Sequence, residues 1–351
     1  MIRVGVVGAS GWADASHLPA LTALPEYELT AVATTRRASA DRTAAKYGAR
    51  HAFTDAGALA AHPEVDLVVV SVRVPEHAAV IRAALAAGKD VLSEWPLGVD
   101  EAEAHSLAEA ATAAGVRHAV VLQGLHSPSV RHVADLVASG RIGALRSAVL
   151  VASGDPFGGP GIPADLAWTL DPAAGASILT IMAGHFLPTL ERVAGRLTEV
   201  NAWLPRLHER VRIDGTDRYE PNPTPDQVLV HGRLEGGATA SVTVHGGHGR
   251  AADGFLLKLS GTGGTLTAVP ADGLPYPHWG EWDIRIDGEP LAVPDSYRTV
   301  PADVPAGPPA NIAALYRDLA AAPDFAAGLR NHRLLAAVER SAATGRAQLV
   351  A

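Results

Sequence analysis

The chain has 351 residues, 48% of them hydrophobic and 19% charged, with a formal net charge of −8 and no cysteine. These proportions describe a folded chain and not a disordered one, they exclude disulfides and thiolate-bound metal, and the negative charge opposes non-specific attraction to nucleic acid. The length exceeds one ordinary core, so two domains are expected. No charged leader with an apolar segment opens the chain, and no apolar run approaches the ~20 residues of a membrane span, so a cytoplasmic protein with neither membrane nor nucleic-acid partners is expected.

Ile2, Val4, Val6 and Val7 make a short apolar run suited to a strand buried on both faces. Gly8, Ala9, Ser10, Gly11 and Trp12 then turn the chain, and Ala15, Leu18, Leu21 and Leu24 follow with a helical period. A strand, a glycine-bearing turn and a helix aim backbone N–H groups and a helix dipole at a diphosphate. The Gly-x-Gly-x-x-Gly fingerprint is met in part, by Gly8, Ser10 and Ala13 with Gly11 between, so the segment reads as a dinucleotide turn or as a plain strand-to-helix connection. Pro19 suggests a longer loop before regular helix begins.

Strands are expected at Glu28 to Thr35, Val65 to Val72, Lys89 to Ser93 and Arg117 to Leu122. Helices are expected at Ala38 to Tyr47, Glu76 to Ala87 and Val99 to Ala114, with Gly88 and Gly115 as caps. Five alternations predict an α/β, doubly wound parallel sheet whose ligands lie beyond the strands' carboxyl ends. At the second such end stand Thr34, Thr35, Arg36 and Arg37, with no acid before Asp41. A ribose 2′-hydroxyl calls for an acid there and a 2′-phosphate for hydroxyls and guanidinium, so NADP is favoured, with NAD possible; the alternative is two arginines opening a solvated helix. At the third end stand Val72, Arg73, Pro75 and His77. Pro75 fits the first turn of a helix, and His77 is either a helix-face residue or a cofactor contact. At the fourth stand Glu94, Trp95 and Pro96.

The Gly8 turn, the segment GKDVLSEWPLG (Gly88 to Gly98) and the downstream GASILTIMAGH (Gly175 to His185) together resemble the glucose-fructose oxidoreductase and inositol dehydrogenase family, Gfo/Idh/MocA. The variant Glu94-Trp95-Pro96 resembles the branch that contains the fungal galactose-pathway repressor. The resemblance implies a Rossmann domain at 1–124 and an α+β domain with an open, mostly antiparallel sheet at 125–351, which binds substrate and dimerises. It further implies hydride transfer between nicotinamide and a carbonyl or alcohol of a small polar, possibly sugar-like substrate, in a homodimer or higher homo-oligomer. The family's fourth-strand motif is Glu-Lys-Pro, and Trp95 replaces its proton-handling lysine. The family's aspartate four residues before the histidine is replaced by Ile181, flanked by Thr180 and Met182. His185 therefore remains, either as the candidate acid or base or as a satisfied core histidine. Trp95 either packs over the strand end or stacks on the nicotinamide. The missing lysine and aspartate keep a second reading open, a dinucleotide-binding sensor without catalysis that acts on another protein.

In the second half a helix is expected at Ser129 to Ser139, and strands at Leu145 to Ser153, Leu197 to Leu204, Gln227 to Leu234, Thr239 to His245 and Phe255 to Gly261. The proline- and glycine-rich run Asp155 to Pro163 leads to Trp168 and Asp171, where the resemblance implies a loop over the substrate; Trp168 either lines the pocket or anchors the loop. His245 and His248 are read as a hairpin turn and not as a metal site, and no metal is expected. Ala310 to Ala321 and Leu329 to Ala343 read as surface helices.

Overall fold

A computed structural model describes residues 1–154, 156–247, 254–271 and 276–350. It divides into two compact units, Met1–His126 with Thr299–Leu329, and Ser127–Arg298 with Arg330–Ala351.

The first unit is an α/β fold in chain order: β1 (Ile2–Val7), α1 (Trp12–Ala15), α2 (His17–Ala23), β2 (Tyr27–Ala33), α3 (Arg37–Tyr47), β3 (His51–Phe53), α4 (Ala56–Ala60), β4 (Leu67–Val70), α5 (Val74–Ala86), β5 (Asp90–Glu94), α6 (Glu101–Ala114) and β6 (His118–Val121). The strands form one parallel sheet in the order β3-β2-β1-β4-β5-β6. Val4, Val6 and all four residues of β4 are at most 2% exposed, which is why β4 reads as an unbroken apolar run and β1 is apolar beyond Arg3. The order reverses at β1, between β2 and β4, and that switch point is where such sheets hold ligands.

Three features depart from the expectations. The edge strand β3 and the short α4 behind it were not anticipated. β3 is only three residues long and half-buried, and α4 is held by Asp55, whose Oδ1 accepts the Ala58 N–H at 2.6 Å. The helix after the turn begins at Trp12, sooner than Pro19 suggested. It breaks at Ser16 because Pro19, in the first turn of α2, has no N–H to continue the ladder. The segment Thr299–Leu329, assigned from the sequence to the second domain, packs in the first unit instead. Ile312, Leu315 and Tyr316 of its helix Pro308–Arg317 join the core formed by Leu18, Leu21 and Tyr27.

The second unit is built on α7 (Pro128–Ala138), β7 (Leu145–Gly154), β8 (Gly161–Ile162), α8 (Gly184–Ala194), β9 (Leu197–Trp203), β10 (Arg210–Ile213), β11 (Tyr219–Pro221), β12 (Gln227–Leu234), β13 (Thr239–Gly246), β14 (Phe255–Gly261), β15 (Thr265–Pro270), β16 (Trp282–Ile286), β17 (Glu289–Leu291) and β18 (Gln348–Leu349). Nine strands form a sheet ordered β17-β16-β15-β14-β7-β13-β12-β9-β18, antiparallel except for β7 with β13, as the open, mostly antiparallel sheet implied. β8, β10 and β11 make a small separate sheet. Alternation sorts the large sheet into two faces. Ala148, Leu150, Ala152, Val242, Val244, Leu257 and Leu259 are buried, and the opposite face carries the odd-numbered residues of β7 and β13. On that opposite face the registers align Trp203, Leu229, Thr243, Val151 and Leu256 in one row across five strands.

The stretch Pro172–Ala194 does reach the length and apolarity of a membrane span, contrary to the sequence expectation, but 67% of its most apolar window is buried inside the protein. Its backbone is also broken into a 3-10 turn, a π-helical turn and α8.

Candidate functional site

Gly8 ends β1 at φ +84, and a Cβ there would stand 2.1 Å from the carbonyl oxygen of Ser71, beyond β4. Only glycine permits this closeness of the two strand ends, and the resulting backbone cradle at the switch point fits a dinucleotide diphosphate. The N–H groups of Gly8 and Ala9 are spent on Ala33 O at 3.0 and 3.1 Å, which fixes the turn against β2. Gly11 follows at φ +52 with nothing within 4 Å of its Cβ position. Ala13, where the fingerprint has its third glycine, is fully buried, so its methyl is accommodated where helix meets strand.

At the end of β2 the two arginines separate. Arg37 is bound within the fold, Nε and Nη2 to Asp41 at 3.0 and 2.6 Å and Nη1 to Ala52 O at 2.9 Å. Arg36 is exposed and its guanidinium has no partner among the described residues, while Thr34 donates to the Arg36 carbonyl at 3.0 Å. Arg36 and the exposed Thr35 are thus the groups of this segment open to an anion. Arg37, expected alongside them, is committed elsewhere.

Beyond β4, Arg73 and Pro75 are exposed at the start of α5, and Val72 is half-buried. His77 is 1% exposed, with Nδ1 2.9 Å from Pro96 O and Nε2 3.0 Å from Val72 O. Both nitrogens face backbone, so the expectation of a cofactor contact is corrected. His77 ties the β4–α5 turn to the turn after β5, and burial lowers its pKa despite the two carbonyls.

Glu94 closes β5 and binds two groups that were not anticipated together. Trp12 Nε1–H donates to its Oε1 at 2.7 Å, and His17 Nε2 lies 2.6 Å from the same atom. His17, fully buried, has Nδ1 2.8 Å from the Tyr316 hydroxyl. A neutral ring protonated on Nε2 satisfies all three groups, with Tyr316 donating to Nδ1. The Tyr27 hydroxyl donates to Tyr316 O at 2.6 Å, and burial pushes its pKa up to about 12. Trp12 was expected to face cofactor, but its indole N–H is turned to Glu94, which pins the first turn after the glycines to the end of β5. Trp95 follows, joined to Pro96 by a cis peptide bond, and is 4% exposed. That burial favours packing over an open stacking face. His17 and Tyr316 carry no local sequence signal, because their pairing depends on the tertiary fold.

In the second unit, a capping box joins Ser177 and Thr180, with the Ser177 N–H donating to Thr180 Oγ1 at 2.8 Å and the Thr180 N–H to Ser177 Oγ at 3.2 Å. It opens a π-helical turn, Ile178–Ala183, that feeds directly into α8. A wider turn changes which residues share a face, and Thr180, Ile181 and His185 are all partly exposed while Met182, Ala183 and Gly184 are buried. The family's aspartate position is therefore lined by an isoleucine and a capping threonine.

The ring of His185 meets Tyr276 edge-on, with centroids 6.3 Å apart, beside a cluster of Phe186, Phe255, His278 and Trp282. Thr189 Oγ1 donates to His185 O at 3.1 Å and lies 3.0 Å from His278 Nε2. Thr189 has one proton, so His278 is the donor to it, and its Nδ1 carries the unprotonated lone pair. Burial, reinforced by His185, depresses the His278 pKa to about 3. Between pH 6.5 and about 3 the unfolded chain holds a proton that the folded chain excludes. Stability is then complete above pH 6.5 and falls as pH drops, by up to about 1.4 kcal/mol per pH unit. Denaturant titrations across pH 4 to 8 are expected to give a steeper acid loss for the native protein than for His278→Gln; parallel curves would contradict this.

Trp168 is partly buried in a 3-10 stretch, and its neighbours Leu166, Ala167 and Leu170 pack on Ile162, Val211 and Ile213. Asp171 accepts the Ala173 N–H at 3.0 Å and so shapes the next turn. His245 Nδ1 lies 2.7 Å from Gln227 Oε1 across the β12–β13 pair, whereas His248 and Asp155 lie outside the described residues. Among the described residues, His51, His62 and Glu64 bring possible ligand atoms within 4.8 Å of one another. Glu64 is engaged there by His51 at 2.5 Å and Arg50 at 3.6 Å, and its pKa is lowered by His51.

A family model described as an oxidoreductase family with NAD-binding Rossmann fold, Gfo/Idh/MocA, matches residues 2–122, and one described as the Gal80p C-terminal domain matches 128–268. Dehydrogenase aclE of Aspergillus oryzae is 34% identical over 249 residues, covering 66% of this chain and 67% of that protein. The galactose/lactose metabolism regulatory protein GAL80 of Saccharomyces cerevisiae is 26% identical over 286 residues, 76% of this chain and 66% of that one. The matched stretch thus spans about two thirds of the length of these relatives. Among solved structures, levoglucosan dehydrogenase in complex with NADH and levoglucosan shares the fold, with a TM-score of 0.84, 20% identity and 99% of both chains covered.

Proposed function

The chain belongs to the Gfo/Idh/MocA oxidoreductase family, with its NAD-binding Rossmann fold, and on that premise we propose that it is an NADP-preferring oxidoreductase acting on a carbonyl or alcohol of a small polar, sugar-like substrate. The observation that carries the cofactor preference is the end of β2, where no acid precedes Asp41 and Arg36 has no partner among the described residues. A charge-assisted arginine contact is worth roughly 1.5 to 3 kcal/mol, enough to separate the two nucleotides by one to two decades. The similarity to a levoglucosan dehydrogenase supports the sugar-like substrate.

When bound, the nicotinamide supplies or takes up the hydride. The residues of this chain do the rest. The Gly8 to Trp12 turn receives the diphosphate, Thr35 and Arg36 the 2′-phosphate, Val72, Arg73 and Pro75 border the nucleotide beyond β4, and Glu94 with Trp95 shapes the nicotinamide end. His185 gives a proton to the carbonyl oxygen on reduction and removes it on oxidation. A panel of small aldehydes, ketones and sugar derivatives with NADPH tests this: saturable consumption supports the reading, and none across the panel counts against it.

The likeness to the Gal80p C-terminal domain favours one other reading, a dinucleotide-binding regulator without turnover, as does a buried indole at the lysine position. That version predicts a protein partner recovered only with nucleotide present.

The row from Trp203 to Leu256 on the open sheet face, with Trp203 65% exposed, supports a homodimer. Sedimentation at micromolar concentration is expected to give about twice the chain mass of 36.2 kDa, and a monomer would contradict it.

A further inference from the structure

Arg42 lies on α3 one turn beyond Ser39, and neither side chain makes a hydrogen bond or ion pair among the described residues. Ser39, Arg42, Thr43 and Lys46 share one face of that helix, at spacings of three and four residues. That face looks onto Ser10, Gly11 and Asp14 across an open groove of about 670 Å³. The groove therefore begins at the dinucleotide turn itself.

The charges around it are sorted unequally. Lys46 is held by Asp14 at 2.8 and 3.0 Å, which cancels the carboxylate inside the groove. Asp41, the other acid on α3, is taken by Arg37. Thr43 is bound to Ala9 O at 3.2 Å, tying helix to turn. Arg42 is exposed and, like Ser39, makes no side-chain hydrogen bond or ion pair among the described residues. One uncompensated guanidinium and one free hydroxyl are thus left facing the phosphate-binding turn, a donor set that suits a phosphomonoester.

We propose that Arg42 and Ser39 form the inner half of the 2′-phosphate site, so that the NADP phosphate lies in the groove between the glycine turn and α3, with Arg36 closing it from the helix start. This rests on the NADP reading above and adds to it a specificity-determining residue that lies outside the segment directly following β2. A guanidinium here discriminates nucleotides by charge, because NADH carries at that position a neutral 2′-hydroxyl in place of the phosphate dianion.

The test is equilibrium titration of NADPH and NADH into the full chain, followed by nicotinamide fluorescence, for the native protein, Arg42→Ala, Arg42→Lys, Ser39→Ala and Arg36→Ala. Arg42 is exposed, so thermal unfolding is expected to match the native protein's. Arg42→Ala is expected to weaken NADPH about tenfold or more while moving NADH by less than about twofold, and Arg42→Lys to recover part of the loss. If Arg36→Ala removes NADPH preference and Arg42→Ala does not, the assignment of Arg42 is wrong and the NADP reading stands. Equal weakening of both nucleotides by Arg42→Ala also overturns the assignment. If the native protein binds NADH as tightly as NADPH, the NADP reading falls and the inference with it.

Discussion

Replacing His185 by Ala is expected to lower turnover with NADPH by about 10² to 10⁴, the usual worth of a positioned acid or base, while leaving nucleotide affinity within about twofold. The expectation follows from what the chain lacks and from how His185 is held. Trp95 and Ile181 stand where relatives keep a lysine and an aspartate, so no second group at those positions takes over the proton. The π-helical turn sets His185 on the partly exposed side with Thr180, and the edge of Tyr276 and the Thr189 bond to its carbonyl restrain ring and backbone. His185→Asn keeps a polar group of similar shape without a titratable proton, and the same loss is expected. Unchanged turnover in both variants would remove His185 from the chemistry.

His17→Ala is expected to destabilise the first unit by about 1 to 3 kcal/mol, the cost of leaving buried hydrogen-bonding groups without their partner. The deletion leaves the Glu94 carboxylate, whose side chain is 12% exposed, with only the Trp12 indole, and strands the Tyr316 hydroxyl. Tyr316→Phe removes one hydrogen bond and leaves no charge unpaired, so a loss of only about 1 kcal/mol is expected. Urea unfolding measures both. A cost below about 1 kcal/mol for His17→Ala would show that Glu94 does not depend on it.

The central strands of the first unit were legible because burial on both faces leaves them mostly β-branched, with Ile2, Val4, Val6 and Val7 in β1 and Val68, Val69 and Val70 in β4. The cap glycines were legible as well: Gly88 and Gly115 both take φ +66 where the helices end. What escaped was decided by tertiary contacts. Three half-buried residues, His51 to Phe53, gain their strand from pairing with β2 and carry no periodic pattern of their own. The helix around Tyr316 was read as a surface helix, yet Asn311 to Tyr316 are all buried, and nothing local says which core it will join.

The candidate site was half readable for the same reason. Gly8, Arg36, Glu94 and His185 are marked by their place at strand ends or in a motif. His77 belongs to that set by position, yet its ring is turned into the backbone. The π-helical turn before His185 has a visible cap in Ser177 and Thr180, but its extra residue per turn does not follow from the sequence. Arg42 was passed over because it lies a full helical turn beyond the strand end, where only the groove associates it with the dinucleotide turn.

The claim under all of this is that the first unit binds a phosphorylated pyridine dinucleotide at the end of β1. Calorimetric titration of the native protein with NADPH and with NADH measures it directly. The account predicts saturable binding of NADPH with NADH at least about tenfold weaker, and heat of dilution alone with both nucleotides would contradict it.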